Sequence, residues 1–168
     1  MKVQSFKLKP HHFSFPDLNF IKDDPSITRL EIIDGSYTEI HPSLFDCHHL
    51  THLDIKGSNL EVLPAKIFQL KNLTTLKIHH GELEIIEAPS KINKTLEVLF
   101  LNKNKIHELP KELSYLTRLK RINFDHNLIS GFAVELGAFE ELQHLSIEMN
   151  PLSEEARLTI KNFYQIDL

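Results

Sequence analysis

Leucine and isoleucine recur along this chain in one fixed pattern. Leu50-Thr51-His52-Leu53-Asp54-Ile55 returns as Leu73-Thr74-Thr75-Leu76-Lys77-Ile78 and as Leu96-Glu97-Val98-Leu99-Phe100-Leu101. Leu119-Lys120-Arg121-Ile122-Asn123-Phe124 and Leu142-Gln143-His144-Leu145-Ser146-Ile147 follow, and Ile27-Thr28-Arg29-Leu30-Glu31-Ile32 precedes them. The copies start at 27, 50, 73, 96, 119 and 142, so every step is 23 residues. Such a period marks stacked supersecondary units, each too short to bury its own apolar face. Within each copy the alternation at positions 4 and 6 predicts a short strand with those side chains inward and positions 3, 5 and 7 outward.

The rest of each unit keeps the phase. Position 11 is Leu60, Leu83, Ile106, Ile129 and Leu152, and position 14 is Ile40, Leu63, Ile86, Leu109 and Phe132. Positions 18 and 21 are Leu44 and Cys47, Ile67 and Leu70, Leu113 and Leu116, Leu136 and Phe139. Position 9 is asparagine in the last three units, at Asn104, Asn127 and Asn150, but Gly35, Ser58 and Gly81 earlier. Leu63-Pro64 and Leu109-Pro110 add an L-P step. On these residues the chain resembles the leucine-rich repeat family, in its 23-residue class. It is similar to bacterial or cytosolic members that lack disulfide caps.

The resemblance implies an α/β solenoid, a curved right-handed superhelix. A parallel β-sheet is expected on the concave face, 3₁₀ turns and irregular segments on the convex side, and a short capping helix at the C-terminus. The expected organisation is a single domain over 1–168. Residues 1–26 form a degenerate first unit or cap, with Val3, Phe6, Leu8 and Phe13 at positions 1, 4, 6 and 11. Residues 27–152 hold the six units. Residues 153–168 form the cap, with Ser153 as helix N-cap and Ala156, Ile160, Phe163 and Tyr164 on one face. Seven parallel strands at about 4.8 Å spacing make a sheet about 30 Å long. The segment 87–95 lacks the L-P step, so a convex irregularity is expected there. The asparagine ladder is expected to be broken or water-mediated in the first half.

Composition then narrows the function classes. Lys and Arg total 19, Asp and Glu 23, and the net charge is −4. A nucleic-acid binder needs a basic stripe with aromatics, which the outward columns do not supply. No run of 18 apolar residues suits a membrane span. The single cysteine excludes an intramolecular disulfide. The N-terminus has no signal-peptide pattern, so a cytoplasmic protein is expected, or a secreted one if a native signal has been lost. The sequons at Asn72 and Asn93 are read as chance.

Candidate chemistry is sparse. Cys47-His48-His49-Leu50-Thr51-His52 looks metal-like, but the repeat frame points Cys47 inward and spreads the histidines, whereas zinc needs convergent ligands. His79, His80 and His126 stand on or beside the concave face. His80 and His126 are two strands apart, about 9.6 Å, with Lys103 between them. No nucleophile, phosphate-loop or metalloprotease motif occurs. No enzyme activity and no cofactor is expected.

The central outward pair, Val98 and Phe100, breaks the polar rule of the concave face, and apolar anchors at a groove centre are what interfaces use. The candidate protein-binding residues are Phe100, Val98, Lys77, His79, Asn102, Arg121, Asn123 and Asp125. The family resemblance implies a protein–protein interaction module presenting a rigid concave surface, without catalysis, as a monomer or weak homo-oligomer with no nucleic-acid or membrane partner. One alternative is a metal- or ligand-binding protein using the concave histidines His79, His80 and His126. Another is a secreted bacterial effector or surface protein that binds host proteins.

Overall fold

The 23-residue spacing reappears as hydrogen-bond register. In the computed structural model, which describes residues 4–8 and 16–164, Arg29 pairs with His52, His52 with Thr75, Thr75 with Val98, Val98 with Arg121, and Arg121 with His144. These partners belong to β2 (Ile27–Gly35), β3 (His52–Ser58), β5 (Thr75–His79), β7 (Val98–Phe100), β8 (Arg121–Asn123) and β9 (His144–Ser146). With β1 (Gln4–Leu8) they form one parallel seven-stranded sheet in chain order. Here β1 runs one residue out of step: Phe6 pairs with Leu30 and Leu8 with Ile32, a separation of 24, after a register shift at Gln4/Ser5. Val3 and Phe13, the other two positions of that first unit, lie outside the described residues.

Burial follows the strand alternation. Leu53, Ile55, Leu76, Ile78, Leu99, Leu101, Ile122 and Phe124 are all buried in one hydrophobic cluster that runs from Leu18 to Ile147. The return segments supply the opposite wall. They contain 3₁₀ turns at Pro42–Asp46, Ala65–Gln69, Lys111–Tyr115 and Leu136–Ala138. Each return spans too few residues for a long helix, and 3₁₀ turns are the short-range solution.

The unit starting at 73 has no such turn. Its return runs through β6 (Ile85–Ile86), which pairs with β4 (Val62–Leu63) in a second, two-stranded parallel sheet on the convex side. Asn93 then takes position 21, a slot that is apolar elsewhere. Its side chain is buried. Nδ2 donates to the Phe68 carbonyl at 2.8 Å, and Oδ1 accepts from the Thr95 and Leu96 amides at 2.9 and 2.8 Å. A buried amide is tolerated only when it is satisfied in this way.

The asparagine ladder holds in the second half. Asn104 Nδ2 donates to the carbonyl of Ile78, one coil back, and to Leu101 of its own coil, while Oδ1 accepts from the Leu83 amide. Asn127 and Asn150 repeat the arrangement one unit further on each time. In the first half the position is filled differently. Tyr37 is fully buried beside Gly35. Ser58 is buried, and Gly81 leaves room for the Ser58 carbonyl and Asn104 Oδ1, which a Cβ there would approach at 2.9 and 3.0 Å.

Position 8 carries a second regularity. Gly57, His80, Lys103, His126 and Met149 all have φ between 54° and 69°. Four of the five are not glycine, so the left-handed turn is imposed by the coil and not by residue preference. The last coil is covered by α2 (Glu154–Tyr164). The Ala156 amide donates to Ser153 Oγ at 3.2 Å, an N-cap. Ala156 is buried, and Ile160 and Phe163 pack against the core. A short α1 (Asn19–Lys22) buries Ile21 near the other end. Among the described residues no helix is long and apolar enough to cross a membrane.

Candidate functional site: the concave sheet

Strand alternation places positions 3 and 5 of seven strands on one open face, with position 7 of β2, β3 and β5 beside them. Phe100 stands near its centre, half-buried. Lys77 Nζ lies 5.4 Å from the ring centroid on one side and the Arg121 guanidinium 5.8 Å on the other. Both distances suit cation–π attraction. Lys77 and Arg121 are the register neighbours of this strand, one on β5 and one on β8. The aromatic thus has two cations braced against it and keeps part of its surface open.

Val98 differs from the expectation. It stands on the outward row but is only 9% exposed. It is small, it sits between Thr75 and Arg121 in register, and it offers little free surface. Of the apolar pair, Phe100 alone can serve as an anchor.

The candidate residues toward the C-terminal end are largely engaged with one another. Asp125 Oδ1 accepts from Ser146 Oγ at 2.6 Å and from the Glu148 amide at 2.7 Å, and Oδ2 accepts from Asn123 Nδ2 at 3.0 Å. Asn123 Oδ1 in turn accepts from the Asp125 amide. Asn123 and Asp125 act as a brace between coils. The Asn102 carbonyl accepts from the His80 amide, and its side chain is half-buried.

The histidines are brought together in part. His79 Nε2 lies 2.9 Å from Asp54 Oδ1, and His79 Nδ1 lies 2.8 Å from His80 Nδ1. One of the two facing Nδ1 atoms carries a proton and the other accepts it. Burial, then Lys103, His79 and Lys56, hold the His80 imidazole below the ordinary histidine range. His79 therefore spends both ring nitrogens on protein partners. Among the described residues no group of three His, Cys, Asp or Glu side chains could hold a metal ion. Cys47 is buried, with its Sγ 3.4 Å from the Ser43 carbonyl, and burial pushes its thiol up to about 11. It is a core residue, remote in role from the neighbouring His48, which is exposed.

A part of the face not singled out from sequence lies upstream of Phe100. A shallow depression of about 180 Å³ is lined by Arg29, Glu31, His52, Asp54, Thr75 and Lys77, among others. Its two carboxylates face partners: Glu31 meets Lys7 at 3.1 Å and Asp54 meets His79 at 2.9 Å. Arg29 and Lys77 have no ion-pair partner among the described residues. His52 Nδ1 lies 2.8 Å from Thr51 Oγ1, which itself donates to the Thr28 carbonyl. The hydroxyl proton is thus used, and His52 Nδ1 donates to the Thr51 hydroxyl oxygen, leaving Nε2 as the free nitrogen. Arg29 and His52 were visible in the position-3 column of the sequence, but nothing there says which charges are already paired.

Comparison with known proteins agrees with this architecture. A family model described as "Leucine-rich repeat region" matches residues 33–163. The ectodomain of the plant membrane receptor kinase GASSHO1/SCHENGEN3 from Arabidopsis thaliana, solved in complex with CASPARIAN STRIP INTEGRITY FACTOR 2, superposes with a TM-score of 0.57 at 28% identity. That match covers 75% of this chain and 16% of the receptor chain. A leucine-rich repeat protein of Leptospira interrogans superposes with a TM-score of 0.55 at 23% identity, over 88% of this chain and 45% of that one. A fission-yeast (Schizosaccharomyces pombe) adenylate cyclase is 34% identical over 76 residues, which is 44% of this chain and 4% of the cyclase. The chain spans less than half the length of each of these proteins. Domains of this fold are typically non-catalytic and typically mediate protein–protein interaction. The register, the inward leucines, the asparagine ladder and the match over 33–163 together establish that this chain belongs to the leucine-rich repeat family.

Proposed function

We propose that this chain is a protein-recognition module whose concave sheet binds a protein partner, without catalysis of its own. The observation that carries the reading is Phe100, a half-buried aromatic at the centre of the open face, held between Lys77 and Arg121. A preorganised aromatic loses little entropy on binding, and central aromatics flanked by polar groups dominate interface energetics. The receptor ectodomain with this fold, solved in complex with CASPARIAN STRIP INTEGRITY FACTOR 2, supports a recognition role here. Part of the cyclase matches the repeat. That match covers a small fraction of the enzyme and supports the repeat alone.

The test is photocrosslinking from the sheet. A benzophenone side chain placed at residue 102, beside Phe100, should capture partner protein in extracts of the source cells. The same group at residue 111, on the convex 3₁₀ turn, should not. Equal capture from both positions, or capture unchanged by Phe100→Ala, would remove the concave sheet as the binding surface.

A further inference from the structure

The charges of the concave face are not equally available. Glu31, Asp54 and Asp125 each have a side-chain partner within about 3 Å: Lys7, His79, and Ser146 with Asn123. Glu97, beside the strands, meets Lys120 at 3.0 Å. Arg29, Lys77 and Arg121 have no such acidic partner among the described residues. The face is mixed in charge: Asp125 keeps its charge on neutral donors and Asp54 faces a histidine, while on the strands flanking Phe100 and His52 the cations Arg29, Lys77 and Arg121 stand without an ion pair among the described residues. Lys77 and Arg121 bracket Phe100, and Arg29 and Lys77 bound the depression over His52. His52 registers their field: burial first, then Arg29 and Lys77, hold its imidazole below the ordinary range.

We infer that the segment recognised by this face is acidic and extended, with a carboxylate seated over His52 between Arg29 and Lys77 and an apolar side chain laid on Phe100. This rests on the concave-sheet reading above and adds the chemistry of the partner. The spacing follows from the sheet. His52 and Phe100 lie on strands two steps apart and two residues apart along them, about 12 Å in all, which an extended peptide covers in about four residues with both side chains on one face. From Arg29 to Arg121 is four steps, about 19 Å, or about six residues. The guanidinium of Arg29 can take a carboxylate with two parallel hydrogen bonds. Lys77 serves both subsites, which couples them. Charge complementarity of this kind sets partner choice and encounter rate more than raw affinity.

The experiment titrates the ¹⁵N-labelled full chain with the peptide acetyl-Gly-Glu-Ala-Ala-Ala-Phe-Gly-amide and follows backbone amide shifts. Saturable shifts are expected at Arg29, His52, Lys77 and Phe100. Exchanging the peptide Glu for Gln, or making the double variant Arg29→Gln with Lys77→Gln, should each weaken binding about tenfold, the size of one lost charge partner. Both substitutions are on the open face, and an unchanged melting temperature verifies folding. Binding indifferent to both changes but lost when the peptide Phe becomes Ala would overturn the acidic chemistry and leave the sheet as the recognition face. Tighter binding of a hexathymidylate than of the peptide would assign the cations to phosphate instead and overturn the proposal. No saturable shift at millimolar peptide would also overturn it, while the crosslinking result would still decide the concave-sheet reading.

Discussion

The ring of Tyr37 occupies the space into which a side chain on Gly35 would project: a Cβ built on Gly35 would stand 1.9 Å from Tyr37 Cε1. Tyr37 is fully buried, and burial raises its phenol well above the ordinary tyrosine range, with Ser58 as a hydrogen-bond neighbour. In the last three coils this region holds an asparagine. Here glycine and a buried aromatic replace it. Gly35→Ala should therefore destabilise the chain by about 1–3 kcal/mol, the usual penalty for overpacking. A denaturant titration that shows no loss would mean that Tyr37 can leave its slot freely.

The ladder itself makes a local prediction. Asn104→Ala removes the acceptor of the Leu83 amide and the donor to the Ile78 and Leu101 carbonyls. Each orphaned buried group costs about 1–3 kcal/mol, and nearest-neighbour coupling spreads the loss to the adjoining coils. Hydrogen exchange of the Leu83 amide should accelerate more than that of Leu53, two coils away. Uniform acceleration along the chain would indicate one cooperative unit in place of a stack.

Burial of the strand leucines gives a companion measurement. Leu99 is fully buried at the middle of the sheet. Leu99→Ala should cost about 2–5 kcal/mol. An unmoved melting temperature would contradict the inward assignment of position 4.

Stability should also depend on pH through His52 and His80, whose folded-state values both lie below the ordinary one. Below about pH 6.5, the unperturbed histidine value, the unfolded chain takes up these protons more readily than the folded one. Stability is then present above that pH and lost as pH falls toward the folded values. The melting temperature should drop between about pH 7.5 and pH 5.5, and the slope should shrink in the double variant His52→Gln with His80→Asn, asparagine being tolerant of the positive φ at residue 80. An unchanged slope in the double variant would show that other groups carry the dependence.

Most of the framework was legible in the chain because it repeats. Six in-phase copies specify register, inward positions and the 3₁₀ turns of most returns, because one packing solution recurs from unit to unit; the N-cap at Ser153 was legible separately, from its side chain ahead of an apolar helical face. What was not legible lies where a unit departs from the others. The missing L-P step announced an irregular return at 87–95 but not its form: Asn93 in a core slot and the β4–β6 pairing have no counterpart in neighbouring coils. Left-handed backbone at His80, Lys103, His126 and Met149 is set by the turn into position 9, and those residue types carry no sign of it. On the concave face, Val98 read as exposed because alternation says which side a residue faces and not how closely its neighbours cover it. The free cations at Arg29 and Lys77 were hidden for a related reason. Pairing of Asp54 with His79 and of Glu31 with Lys7 joins residues on different strands and is decided by side-chain geometry.

The most direct test of recognition by the concave sheet is the affinity of a purified, crosslink-identified partner for Phe100→Ala, measured by calorimetry against wild type and against Lys111→Ala on the convex side. Loss of a central anchor worth about 2 kcal/mol or more predicts binding weakened about 30-fold or more, with folding stability within about 0.5 kcal/mol of wild type and Lys111→Ala unchanged in both respects. Wild-type affinity in Phe100→Ala, or equal losses in the two variants, would contradict the account.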